Sequence, residues 1–143
     1  MQVELREVPF NPLEALAHYQ ESLTALPGKY GATAIFIGTM RDFNEGVGVR
    51  SMTLDYYPGM TERHLQRIVE EAGSCWDFLD ALIVHRVGTL YPNDPIVLVA
   101  VWSAHRAAAF DACRFIMEAL KARAPLWKRE TLANGQRWVE KNT

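Results

Sequence analysis

The residues best suited to chemistry gather in LKARAPLWKRE, positions 120–130, where Lys121, Arg123, Lys128 and Arg129 surround a proline and a tryptophan, and Glu130 is the one opposing charge. Two more stretches, Thr39-Met40-Arg41 and Ser103-Ala104-His105-Arg106, carry cations where the chain is expected to leave a strand. Arginine offers a planar fork that fits phosphate or carboxylate, whereas lysine is a point charge whose pKa falls when like charges or burial crowd it. If the fold joins these ends, Arg41, His105, Arg106, Lys121, Lys128 and Arg129 converge on one anion-binding pocket. A lysine held there can supply a neutral amine for proton transfer or for attack on a carbonyl. A helix C-terminus acts on Lys121 in the opposite sense, favouring its charged form by ~0.3–1 kcal/mol. The residues alone leave its protonation state open.

Plainer roles compete at several positions. Lys121 and Arg123 in a last helical turn also complement the helix dipole, and His105 can serve a helix start. His85, inside a strand, is expected to be packed or paired rather than a base. His18 and His64 fall among polar helix positions, and Cys113 belongs to an apolar helix face. Trp127 and Trp138 are expected to stack in a terminal sheet rather than to form a platform for bases. Strand alternation in LWKRETL puts Trp127 and Arg129 on one side and Lys128 and Glu130 on the other. Three classes of function remain: an enzyme with an anion site, a module that binds RNA or a nucleotide, and a Schiff-base lysine enzyme.

The totals narrow these. The chain has 143 residues, enough for one domain over 1–143 with a continuous core. Its 49% hydrophobic and 22% charged content excludes a disordered chain. A formal net charge of −2 argues against a surface built to coat nucleic acid, so any anion site must be local. Cys75 and Cys113 lack the number and spacing of a disulfide framework or a zinc site, which points to a reducing cytoplasm. The opening MQVELREVPF is charged and alternating, and no run is long enough to span a bilayer, so a soluble cytoplasmic protein is expected, with no membrane partner. The glycines of NEGVGV lack the Gly-Lys-Ser/Thr of a phosphate loop, no dinucleotide fingerprint is present, and no spacing suggests a metal. Neither metal nor cofactor is expected.

The elements that must position the cations can be read in order. Residues 2–8 alternate as a strand with Val3, Leu5 and Val8 on one face. Asn11-Pro12-Leu13-Glu14 starts a helix, with an Asx cap and proline in the first turn, whose stripe is Leu13, Leu16, Ala17 and Leu23. GATAIFIGTM (31–40) reads as a buried strand and VRSMTLDYY (49–57) as another, joined by the exposed polar loop RDFNEGVGV. A helix from about Thr61 carries Leu65, Ile68, Val69 and Ala72 at helical spacing. Strands follow at 81–88 and 95–102, the second the most apolar in the chain, with a turn at Pro92-Asn93-Asp94 between them. Ser103 is expected to cap a helix reaching about Ala124, with Phe110, Cys113, Ile116, Met117 and Leu120 inward, and Pro125 ends it. Strands 126–132 and 137–141 then form a hairpin through Asn134-Gly135. This order predicts an α+β fold with three main helices and a mixed, mostly antiparallel sheet.

Read together, FIGTMRDFNEG, LDYYPGMTE, VHRVGTLYPND, SAHR, FIMEALKARAPLWKRE and RWVE resemble, in that order, the MoaE family, the large catalytic subunits of molybdopterin synthase. The resemblance covers nearly all of the chain from residue 31. It implies an α/β-hammerhead fold and a sulfurtransferase that converts cyclic pyranopterin monophosphate into molybdopterin by installing the dithiolene sulfurs, a step of molybdenum cofactor biosynthesis. It further implies that sulfur arrives as a thiocarboxylate on the C-terminal Gly-Gly tail of a small ubiquitin-like partner subunit. Two large subunits would form a homodimer within a heterotetramer, with pocket groups drawn from both. Carried over by position, the site comprises Thr39, Met40, Arg41, His105, Arg106, Lys121, Lys128, Arg129 and Glu130. Lys121 and Lys128 would be catalytic, while Arg41, His105 and Arg106 hold the phosphate and orient the pterin; Met117 is core first.

Overall fold

The computed structural model describes residues 1–139. Its elements are β1 (Gln2–Arg6), α1 (Pro12–Ser22), β2 (Ala32–Thr39), β3 (Phe43–Asn44), β4 (Val47–Gly48), β5 (Ser51–Tyr56), α2 (Met60–Cys75), β6 (Asp80–Arg86), β7 (Gly88–Leu90), β8 (Pro95–Ser103), α3 (Arg106–Arg123), β9 (Leu126–Leu132) and β10 (Gly135–Val139). The fold is the expected α+β, with three helices and mostly antiparallel pairing; β1 runs parallel to β6. One sheet has the order β1-β6-β8-β2 and a second β10-β9-β5-β7, with β3 and β4 forming a small hairpin.

The apolar run of β8 is explained by burial on both faces. Val97, Val99 and Val101 face α2 and α3, and the alternate residues Leu98, Ala100 and Trp102 face α1. α2 contributes Leu65, Ile68, Val69 and Ala72 to that core, as its spacing predicts. The Asn11 side chain caps α1, accepting from the amides of Leu13 and Glu14 at 3.0 and 3.3 Å. A smaller core of Met40, Val49, Met52, Leu54 and Leu90 underlies the second sheet, and Ile96 packs against it and against the main core. The seam between the sheets therefore runs along the start of β8.

Several expectations are corrected. Among the described residues β2 is an edge strand paired only with β8; Ile35 and Ile37 are 45% and 37% exposed because α1 packs on residues of β6 and β8 instead. The stripe of α1 is Ala15, Leu16, Tyr19 and Leu23, with Leu13 and Ala17 outward, since the helix is rolled toward Trp102. Val8 lies beyond β1 and is exposed. Phe110 is 67% exposed; Cys113, Ile116, Met117 and Leu120 face inward as expected, joined by alanines 109, 112 and 119. The N-cap of α3 is His105 rather than Ser103, whose hydroxyl instead accepts from the His105 amide at 3.4 Å. The segment expected as an exposed loop folds into β3 and β4 and buries Asn44 and Val49. The 81–88 strand divides at Val87, whose amide bonds the Arg6 carbonyl. In the terminal hairpin, β10 begins at Gly135, and positions 140 and 141 lie outside the described residues.

Candidate active site

Three local devices bring the cations together. At the end of β2 the pairing with β8 slips between Gly38 and Thr39, a bulge that re-aims the chain. Met40 is then clasped by the 91–94 turn, its amide donating to the Asp94 carbonyl and its carbonyl accepting from the Asn93 amide, so Arg41 is presented at a defined place. At the end of α3, Ala124 takes an extended conformation before Pro125, as a residue preceding proline must, and the chain reverses into β9. Thr61 locks that reversal: its buried hydroxyl donates to the Pro125 carbonyl at 3.1 Å and accepts from the Tyr57 amide at 3.2 Å. The third device is the hairpin β3–β4. Glu130 on β9, buried, accepts from Arg137 Nε at 2.8 Å and Asn44 Nδ2 at 3.2 Å, while Arg137 also donates to the Asn44 carbonyl at 2.9 Å.

The result is a cavity of about 340 Å³ at the seam of the two sheets, within the size range of small-molecule sites. Thr39, Met40, Arg41, Lys121, Lys128 and Glu130 line it, with Phe36, Phe43, Met52 and Ile96 supplying apolar wall. Alternation along β9 holds as expected, so Lys128 and Glu130 face the cavity. A smaller cavity of about 40 Å³ lies behind, closed by the same two lysines together with His85.

The electrostatics follow from this enclosure. Burial is the main cause that lowers the pKa of Lys121 below the ordinary lysine value, Arg41 adds to it, and Glu118 opposes. Burial likewise leads in lowering Lys128, followed by Lys121, with Glu130 opposing and Arg41 adding. Desolvation and the like charge of Arg41 thus outweigh the opposing pull of Glu118 at Lys121. His85 is wholly buried and its pKa is pushed down to about 4, first by burial and then by Lys121 and Lys128, against the hydrogen bond to the Arg86 carbonyl.

Other expected members lie elsewhere. His105 and Arg106 begin α3 and Lys121 sits near its end, a separation of roughly 22 Å along the helix, so within one chain they do not share this cavity. Arg129 is on the opposite face of β9, 3.8 Å from Asp55 and over the ring of Trp138. Arg123 pairs with Glu71 on α2. Trp127 meets Tyr57 edge-on, so the two tryptophans have separate partners. Asn44, Arg137, Thr61 and the apolar wall were not legible beforehand. The segment that holds Asn44 reads as a solvated loop, and its tether to Glu130 spans 86 positions of sequence. Among the described residues no group of three His, Cys, Asp or Glu side chains could hold a metal, and no helix is long and apolar enough to cross a membrane.

Known proteins resemble this chain in sequence and in fold. Residues 8–123 match the family model described as MoaE protein. A molybdopterin synthase catalytic subunit from Ralstonia nicotianae is 59% identical over 77% of this chain, a match that spans 62% of the relative. One of the same description from Pseudomonas aeruginosa is 48% identical over 98% of this chain and 91% of its own length. A solved structure described as a molybdopterin biosynthesis MoaE protein from Burkholderia ambifaria superposes with a TM-score of 0.79 at 43% identity, covering 99% of this chain and 90% of that one. By sequence over most of its length and by fold, the chain belongs to the MoaE family.

Proposed function

We propose that the chain is the catalytic large subunit of a molybdopterin synthase. In this reading it transfers sulfur from the thiocarboxylated Gly-Gly terminus of a small ubiquitin-like partner to cyclic pyranopterin monophosphate, forming the dithiolene of molybdopterin. The observation that carries the reading is the shared enclosure of Lys121 and Lys128 with Arg41, three cations drawn into one recess of a chain whose net charge is negative. Arg41 suits the substrate phosphate as a planar fork. The lysines stabilise charge on the acyl oxygen and sulfur as the acyl carbon–sulfur bond breaks, and with lowered pKa they release and accept protons more readily. The thiocarboxylate sulfur first bonds to a pterin side-chain carbon, displacing an oxygen substituent as water, to give a thioester. Water then attacks the acyl carbon, which leaves as a carboxylate while sulfur stays on the pterin as a thiolate. A diglycine tail carries no side chains, so it suits a recess walled in part by Phe36 and Phe43.

His105 and Arg106 join this chemistry from a second copy of the chain, which a homodimer would supply. The separation along α3 leaves no route to the cavity of their own chain. A nucleic-acid reading loses its footing on the same geometry, since Arg123 and Arg129 are engaged with acidic residues away from Lys121 and Lys128. The direct test combines the purified protein, the thiocarboxylated partner and the pterin precursor. Molybdopterin should form in proportion to thiocarboxylate consumed, and absence of product with all three present would end the reading.

A further inference from the structure

The small cavity behind the lysines contains one polar group that the proposed reaction does not use. His85 belongs to β6, is 4% exposed, and places its Nδ1 2.6 Å from the Arg86 carbonyl oxygen. A carbonyl only accepts, so Nδ1 carries the proton and Nε2 keeps its lone pair. The cavity it lines is otherwise apolar, formed by Met52, Leu54, Ile96, Leu120, Ala124 and Leu126, and its remaining polar walls are Lys121 from α3 and Lys128 from β9. A space of about 40 Å³ with three polar groups is large enough and polar enough for an ordered water.

We propose that His85 is a positioning residue for both lysines: its Nε2 accepts a hydrogen bond from a water in the inner cavity, and that water orients the Lys121 and Lys128 amines toward the outer cavity. The inference rests on the sulfur-transfer reading for its activity test alone. The imidazole suits the task because it accepts without adding a third positive charge, its neutral form being favoured by burial. The charged groups facing it are Lys121 and Lys128, and the neighbouring walls from β5 and β8 are apolar.

Two substitutions separate this role from simple packing. His85→Asn keeps a donor near the Nδ1 position for the Arg86 carbonyl and gives up the acceptor in the cavity. His85→Gln reaches the Nε2 position and gives up the short bond to Arg86. Positioning predicts that Gln retains turnover within a few fold while Asn loses roughly tenfold or more in kcat with KM little changed. A packing role predicts the reverse order, and that result would overturn the proposal. An independent readout needs no sulfur transfer: titration of the lysine side-chain carbons by NMR in the free protein. Loss of the acceptor in His85→Asn should lower the pKa of Lys121, Lys128 or both by roughly one unit, with His85→Gln close to wild type. Unchanged lysine titrations in His85→Asn would sink the idea even if the synthase assay succeeds, and a failed assay with shifted titrations would count against the proposed reaction instead.

Discussion

Lys121 on α3 and Lys128 on β9 face each other across the reversal at Ala124-Pro125 and border both the outer and the inner cavity. Their enclosure costs folding free energy, because burial disfavours both ammonium groups, Arg41 adds to it at each, and Lys121 adds to it at Lys128. Such a cost is characteristic of sites shaped for chemistry rather than for stability.

Lys121→Met and Lys128→Met should each reduce molybdopterin formation by roughly 100-fold or more, the scale expected for loss of a preorganised charged group. Each should also leave the fold equally or more stable at neutral pH. A lysine whose folded pKa lies below its unfolded value destabilises the protein while protonated, and that cost fades as pH rises through the folded value toward the unfolded one. Urea denaturation at pH 7 and at pH 10 tests this, with any gain expected to shrink at the higher pH.

Arg41→Ala removes a like charge from both lysines and a fork from the phosphate site. The pKa of Lys121 and of Lys128 should rise, since Arg41 acts to lower both. The lysine-dependent limb of the kcat/KM profile should therefore move to higher pH, while KM for the phosphorylated substrate increases by about tenfold.

Glu130 lines the cavity yet is already engaged by Arg137 and Asn44, so its main effect is to hold the β3–β4 hairpin against β9 and β10. Glu130→Ala should cost roughly 1–3 kcal/mol in urea unfolding. A double-mutant cycle with Arg137→Leu should show coupling, and simple additivity would mean that the tether carries little energy.

Acid stability should report on His85. Its folded pKa of about 4 lies below the ordinary 6.5, so the unfolded chain binds the extra proton across that interval. Stability should fall as pH drops from 6.5 toward 4, and the difference between wild type and His85→Phe should change over that window and be flat above it.

Mixing two inactive variants tests the two-chain site. If His105 and Arg106 serve a neighbouring copy, Lys121→Met and Arg106→Ala proteins, unfolded together and reassociated, should regain activity at about a quarter of the sites, because a mixed dimer holds one intact pocket. No recovery in confirmed mixed dimers would place Arg106 outside the chemistry.

Local rules carried much of the reading. The period of 3.6 in α2, the Asn11 cap, the apolar run of β8 and the Pro125 break are encoded in neighbours along the chain, and each is found in the structure. The amino-acid pattern by itself therefore determined the α+β class, the family resemblance, and the placement of Lys128 and Glu130 on one side of β9. Only tertiary structure decided that β2 lies at an edge, that Phe110 points outward, that Asn44 is tied to Glu130, and that His105 and Arg106 sit a helix length away from Lys121. Those outcomes depend on which surfaces cover which, and coverage is set by packing between segments far apart in the chain, which periodicity within any one segment does not record.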